Sequence, residues 1–500
     1  MSPVSTNRPN LLYIHSDQHN PAVIGAYGNP IIRTPNLDQL AENGVLFENV
    51  YCPSPLCVPS RASQLTGRFP FENQVWTNEH VLDSGIPTFA HALGAGGYRP
   101  VLIGRMHAIG PDQLHGYAER LVGDHSSNYL GGKPVDHGML QGTAGPDLIS
   151  LEKSGAGQSA YQVHDEDVTA ATVDYLNRLG VQKRAGLLDQ PFCLTVGFML
   201  PHQPFVARRA DFAEYVGKVG LPMTPEPFTD MLHPHFRYWR TKCRIESVPE
   251  EMVIRARTAY YALVTRLDAL IGQIFTALRE NNLADNTLIV YSSDHGEQIG
   301  EHGLWWKQTF YEDSVKVPAI LSWPGVLPRG IRSQRVLSSL DLNATMLEAL
   351  GAPALPNSHG RSVLPLIMTP GAAWEDVAFS EYCTDEGCYQ RMIRSGDWKL
   401  NYYHGQPVQL FNLADDSRET FDRANDPTVQ DICERLTRQV LEGWNPDEIA
   451  RAMAAKRADQ PILHAWAQQT QPVEQYRWNL RPEMDYLDDA AFLRGIAAHV

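Results

Sequence analysis

Short, unbroken apolar runs that stop at polar clusters recur along this chain. Residues 10–15 contain Leu11-Leu12-Tyr13-Ile14-His15 and end at Ser16-Asp17-Gln18. Residues 99–104 deliver Arg105 and His107, residues 191–199 run into Pro201-His202, and residues 287–292 end at Ser293-Asp294-His295-Gly296. Runs of this length that are apolar at successive positions fit strands buried on both faces. Between them, residues 34–44, 86–95, 165–179 and 250–281 read as helices. The first places Leu37, Leu40 and Ala41 on one face and stops at Gly44; the last carries Tyr260, Val264, Leu267, Ile271, Ile274 and Leu278 at helical spacing. The alternation predicts an α/β fold, a large mainly parallel sheet covered by helices on both faces. Ligands in such folds sit outside the carboxyl ends of the strands, where each of these polar clusters falls.

From about residue 377 the pattern changes. Residues 391–393, 399–403 and 408–412 read as short strands of a meander, followed by a helix over 429–442. The expected division is a catalytic α/β domain over 1–376, a smaller C-terminal α+β domain over 377–450, and an extended tail over 451–500. The tail is polar, with Trp466, Tyr476, Trp478 and Tyr486 at no clear period and no stripe able to build its own core. Exposed aromatics are a liability on a monomer. The tail is therefore expected on another surface, that of its own subunit or of a neighbour in a homodimer or homotetramer. The chain contains no internal repeats.

Charge narrows the partners. The net charge of -15, from 42 basic and 57 acidic residues, argues against nucleic acid and anionic lipid as partners. An anionic substrate needs a locally positive site against that field. No apolar run approaches the roughly 20 residues that span a bilayer, and residues 1–10 lack an apolar signal core. The expectation is a cytoplasmic protein with no membrane partner. Seven widely spaced cysteines fit a reduced compartment rather than a disulfide framework; Cys383 and Cys388 read as ordinary thiols.

The most specific segment is Cys57-Val58-Pro59-Ser60-Arg61-Ala62-Ser63-Gln64-Leu65-Thr66-Gly67-Arg68. A lone buried cysteine is usually a structural thiol, but this frame resembles the signature of the type I sulfatases of the alkaline phosphatase superfamily, Cys-x-Pro-Ser-Arg followed by Thr-Gly-Arg. The resemblance implies that a maturation enzyme oxidises Cys57 to formylglycine. The hydrated aldehyde then offers two hydroxyls on one carbon: one attacks sulfur and displaces the alcohol, the other loses a proton and ejects sulfate. Covalent catalysis of this kind splits one hard step into two, and a metal and nearby cations offset the charge. The family's ligand positions carry over to one divalent metal held by Asp17, Gln18, Asp294 and His295. The usual pairs are Asp-Asp and Asp-Asn, so Gln18 and His295 depart from them. All-oxygen sites suit Ca2+ and an imidazole suits Mn2+, and both remain open.

The resemblance supplies the cations as well. Arg61 lies inside the signature. Arg105-Met106-His107 follows the family's Lys-x-His, with Arg for Lys. His202, in Leu200-Pro201-His202-Gln203-Pro204-Phe205, follows Pro-His-x-Pro-[Phe/Tyr], and Lys307 follows the late lysine. By resemblance, His107 assists sulfate release as a base, while His202 and Lys307 bind sulfate and help protonate the leaving oxygen. Asn78 is carried as a further substrate donor. The resemblance spans most of residues 9–412 and is closest to the choline-sulfatase-like branch, through the run from Gly104 to Tyr117, Gly303-Leu304-Trp305-Trp306-Lys307 and the long tail. It implies hydrolysis of small anionic sulfate monoesters, aryl or small alkyl. A choline pocket needs an aromatic cage with a carboxylate, for which Glu381, Tyr382 and Glu386 are candidates. Two rivals stand: a phosphonate monoester or phosphodiester hydrolase on the same scaffold, where uncharged hydroxyl residues usually replace the Arg105-x-His107 pattern, and a non-catalytic binder with no need of the aldehyde.

Overall fold

The computed structural model describes residues 8–369 and 371–488. Its main sheet has eight strands in the order Ile331–Ser338, Val45–Tyr51, Ala319–Ser322, Thr287–Ser293, Asn10–Asp17, Phe192–Pro201, Arg99–Gly104 and Glu119–Leu121. Ala319–Ser322 runs antiparallel to both neighbours, and all other pairings are parallel. The central strand is buried from Leu11 to Asp17, and its alternation feeds two cores. Leu12 and Ile14 pack with Val168, Leu176, Leu267 and Ile271 from the helices Ala160–Arg184 and Glu250–Glu280. Leu11 and Tyr13 face the opposite layer, with Phe89, Leu93, Leu342 and Met346 from the helices Phe89–Ala95 and Leu340–Ala349.

Four strands of this sheet lie outside the apolar runs: Ala319–Ser322 and Glu119–Leu121 are only four and three residues long, and the other two have a different physical reason. Val45–Tyr51 carries polar Glu48 and Asn49 mid-strand, and Ile331–Ser338 lies at the sheet edge with its first half largely exposed. Edge strands do not need an apolar run on both faces. Glu250–Glu280 is the one helix among the described residues long and apolar enough to span a bilayer by those measures, and most of its apolar stretch is buried in the protein core.

The smaller domain is a four-stranded antiparallel meander, Val377–Cys383, Tyr389–Ser395, Trp398–Tyr403 and Gln409–Asn412. The helix Gln430–Leu441 buries Cys433, Leu436 and Val440 against Ile393, Leu400 and Leu410. The following segment corrects the expectation of an aperiodic tail from residue 451. Pro446–Thr470 is a 25-residue helix, started by Asn445, whose side chain accepts from the backbone N–H groups of Asp447 and Glu448. Its period escaped notice because the helix lies on the surface and buries only Ile449, Met453 and Ala467; capping and helix-forming residues sustain it. Beyond it, Tyr486–Leu487 pairs with Gly155–Gln158 of the same chain.

Candidate active site

Two parallel neighbours bring the expected metal ligands together. Ser16 pairs with Ser293, so Asp17-Gln18 and Asp294-His295 leave the sheet side by side. Both carboxylates and the imidazole are fully buried. Asp294 Oδ1 accepts from the backbone N–H groups of Gln18 (3.0 Å) and His295 (2.9 Å). His295 Nδ1 lies 3.0 Å from the Gly296 carbonyl, which assigns the ring hydrogen to Nδ1 and leaves the Nε2 lone pair directed at the site.

The Cys57–Thr66 helix enters from the other side. Residues 57, 60 and 61 share one helical face, so the signature's spacing aims three side chains at the strand ends. Cys57 Sγ lies 3.2 Å from His295 Nε2 and 3.9 Å from Asp17 Oδ1. Ser60 Oγ donates to the Asp294 carbonyl at 2.6 Å. Arg61 spans both carboxylates, donating from Nε to Asp294 Oδ2 (2.9 Å) and from Nη2 to Asp17 Oδ2 (3.1 Å). The helix stops at Gly67, left-handed at φ 70°, where a Cβ would meet Ser358 Oγ at 2.3 Å. Burial, then the Asp17 carboxylate, push the Cys57 thiol up to about 12; as a thiol it carries almost no nucleophilic thiolate at neutral pH.

Arg105 turns into the site where two strand ends approach closely. A Cβ on Gly197 would lie 1.8 Å from the Arg105 carbonyl, and one on Gly104 would lie 2.2 Å from the Gly197 carbonyl. Arg105 donates to Asp17 Oδ2 (2.6 Å), Asp124 Oδ1 (3.1 Å) and His107 Nδ1 (2.9 Å). Because guanidinium is always a donor, His107 Nδ1 is the acceptor and Nε2 carries the ring hydrogen. His202 Nδ1 lies 2.6 Å from the Gln203 carbonyl, and its Nε2 lies 2.8 Å from Lys307 Nζ. Burial, reinforced by Arg105 at His107 and by Lys307 at His202, holds both imidazoles well below their ordinary range, hence neutral. Burial works to raise Asp17, but the Arg105 and Arg61 guanidiniums on Oδ2 keep its carboxyl well below the usual range.

These donors fit a divalent metal. The ligand atoms of Asp17, Cys57, Asp294 and His295 all lie within 4.8 Å of one another. Both arginines bind Asp17 through Oδ2, leaving Oδ1 facing Cys57 and His295, the latter at 3.9 Å. Gln18 stands beside this group with its carbonyl on Lys307 Nζ and its amide nitrogen on Gln203 and Glu297. The described residues thus bring Asp17, Gln18, Cys57, Arg61, Arg105, His107, His202, Asp294, His295 and Lys307 into one bonded cluster. Asn78 stands slightly apart: its side-chain carbonyl caps the signature helix at the Val58 N–H, 3.0 Å. The cage candidates do not gather here. Glu381 is buried and accepts from Trp76 Nε1, while Glu386 pairs at the surface with Lys242 and Tyr238. Sequence reasoning missed Asp124, which also accepts from the His107 N–H at 3.0 Å, and Glu297; the latter follows the strand-end run Asp294-His295 by two residues and could have been flagged there.

The chain matches the family model described as sulfatase over residues 9–352, and the model for the C-terminal part of N-sulphoglucosamine sulphohydrolase over residues 300–445. Among solved structures, it superposes on a phosphonate monoester hydrolase of Agrobacterium radiobacter with a TM-score of 0.71 at 23% identity, covering 87% of this chain and 95% of that one. This is a likeness of fold. Arylsulfatase K of Danio rerio is 29% identical over 469 residues, covering 88% of this chain and 84% of the relative. The choline-sulfatase of Rhizobium meliloti (strain 1021) is 34% identical over 444 residues, covering 85% and 84% of the two chains. By the family model over most of its length and the relative at 34% identity, the chain belongs to the sulfatases, hydrolases of sulfuric esters.

Proposed function

We propose that this chain hydrolyses sulfate monoesters of small alcohols or phenols, with residue 57 acting as formylglycine. The observation that carries this reading is the Cys57 environment. The side chain sits at the first turn of a helix beside two carboxylates and a neutral imidazole, with Sγ 3.2 Å from His295 Nε2. A thiol so held is a poor nucleophile, whereas a hydrated aldehyde at the same point presents a hydroxyl to the ligand cluster. A divalent cation held by Asp17, Asp294 and His295, with Gln18 beside them, would lower the pKa of that hydroxyl and draw charge from the sulfuryl oxygens. Arg61 bridges the two carboxylates, donating to Asp294 Oδ2 and Asp17 Oδ2. Arg105 and Lys307 bring positive charge for the sulfuryl group. Lys307 Nζ and His202 Nε2 share one transferable proton across 2.8 Å, and its delivery to the leaving oxygen is the acid step. With Nδ1 engaged by Arg105, His107 presents an Nε2–H donor toward the sulfuryl group.

The imidazole of His295 favours Mn2+ over Ca2+; elemental analysis that returns calcium alone overturns that choice. A maturation enzyme must supply the aldehyde, and mass spectrometry of the peptide containing residue 57 tests for it. Parallel rates on an aryl sulfate and an aryl phosphonate monoester test the reaction: faster phosphonate turnover would make the chain a phosphonate hydrolase. A panel of alkyl, choline, aryl and sugar sulfates identifies the alcohol. The exposed Ile462, Leu463 and Trp466 support a homodimer or homotetramer, which light scattering checks.

A further inference from the structure

We infer that His164, on the buried face of the helix Ala160–Arg184, is a positioning residue that holds the loops of both His107 and His202; the inference rests on the sulfatase reading of the site. His164 is fully buried, and each ring nitrogen faces an oxygen: Nδ1 lies 2.9 Å from Asp165 Oδ1, and Nε2 lies 2.9 Å from the Gly123 carbonyl. Each contact leads to a different histidine. The Asp165 carboxylate accepts from the backbone N–H groups of Met199 (2.9 and 3.0 Å) and Leu200 (2.8 Å), the last residues before Pro201-His202. Gly123 directly precedes Asp124, whose two oxygens take Arg105 Nη1 and the His107 N–H. Trp478 closes the unit from the tail. Its ring stands edge-on to His164 at 5.3 Å, and its backbone N–H donates to the Asp124 carbonyl at 2.8 Å.

A histidine that only filled space would leave these acceptors to other partners. Here its removal takes one partner from Asp165 Oδ1, which keeps the Met199 N–H, and takes the imidazole from the Gly123 carbonyl, a cost specific to hydrogen bonding. The two arms separate by substitution. H164N keeps an amide donor near the Nδ1 position and so the Asp165 arm. H164Q reaches further, to Gly123, and keeps the other arm.

The test uses full-length, formylglycine-bearing protein: wild type, H164A, H164N and H164Q. Amide hydrogen exchange is followed at residues 123–125 and 198–203, and kcat and KM are measured on an aryl sulfate and an alkyl sulfate. We expect H164A to speed exchange in both segments. Its kcat should fall about tenfold further on the alkyl ester than on the aryl ester, because a poor leaving group depends on the proton shared by His202 and Lys307, with KM changed less than kcat. H164N should restore the alkyl-to-aryl ratio and slow exchange at 198–203 only; H164Q should slow it at 123–125 only. Equal loss on both esters, or exchange unchanged in either segment, overturns the inference. If H164A does not fold, H164N and H164Q decide alone, and identical behaviour of the two overturns it. Exchange reads the inference without turnover, so a wild type that hydrolyses neither ester condemns the sulfatase reading and leaves this test standing.

Discussion

At the carboxyl ends of the large sheet, Asp17, Arg105, His202 and Asp294 come at or just after the ends of strands buried over nearly their whole length. Residues 446–488 approach the same loops differently, with a 25-residue helix that buries three residues and then a series of polar contacts. Glu474 accepts from the Ser127 hydroxyl and the Asn128 N–H, Arg477 donates to the His125 carbonyl, and Asp485 holds His137. Burial on the sheet side is worth roughly 25 cal/mol per Å2 and is spread over two cores. Each tail hydrogen bond nets about 1 kcal/mol. Ligand spacing is thus fixed by packing, while the loop carrying Asp124 is fixed by links that can open one at a time.

The largest expected effect lies wholly on the sheet side. Cys57→Ala should lower kcat/KM by about a thousandfold or more while costing only about 1 kcal/mol in stability, because a small buried thiol is lost; rates and thermal melting measured together check both halves. Chelation comes next. Dialysis against EDTA should abolish turnover and lower stability by about 3 kcal/mol if the metal normally stands near a hundred times its Kd, and full activity in metal-free protein would remove the metal from the scheme. Asp124→Ala tests where the two regions meet. It withdraws a carboxylate from the buried Arg105, which should cost roughly 3 kcal/mol and lower kcat about a hundredfold, scored by denaturant melts and aryl sulfate kinetics.

Truncation after residue 470 should cost less, about tenfold in kcat with a modest drop in Tm. It removes Glu474, Arg477, Trp478 and Asp485 but leaves every strand-end residue in place. A loss as large as that of Asp124→Ala would erase the distinction between the two regions. The smallest effect lies on the seam between the sheets. Burial pushes Glu381, beside Trp76, up to about 8 from an ordinary 4.5. A carboxyl raised on folding contributes stability that is full below about 4.5 and lost as the pH rises through 8. Glu381→Gln should therefore flatten the fall of Tm between pH 6 and 9, by about 2 °C across that window; an unchanged slope would show that Glu381 is ionised in the folded state.

Much of this was legible in the sequence because the central strands are short apolar runs, which only a doubly covered sheet explains. The cluster residues were legible because Asp17, Arg105, His202 and Asp294 each follow such a run, and because the spacing of Cys57, Ser60 and Arg61 is helical. What was not legible has two physical origins. Asp124 follows the three-residue strand Glu119–Leu121, too short to leave a pattern, so its grip on Arg105 and His107 shows only in three dimensions. The helix Pro446–Thr470 hides its period because a surface element needs few apolar positions.

The side-by-side exit of Asp17 and Asp294 from strands paired Ser16 to Ser293 also governs when the site can exist during folding. The Gln18–Asp294 contact joins residues 276 apart in sequence, so no fragment lacking either strand contains the ligand set. Closing so long a loop is paid for only when the centre of the sheet assembles, which makes such contacts slow to form. A divalent ion held by these residues would therefore be captured late, stabilising the finished register rather than guiding the chain toward it. A slip of one residue between the two strands would set Asp294 opposite Ser16 and turn every side chain of the slipped strand to the wrong layer, so the same pairing that builds the cores proofreads the site.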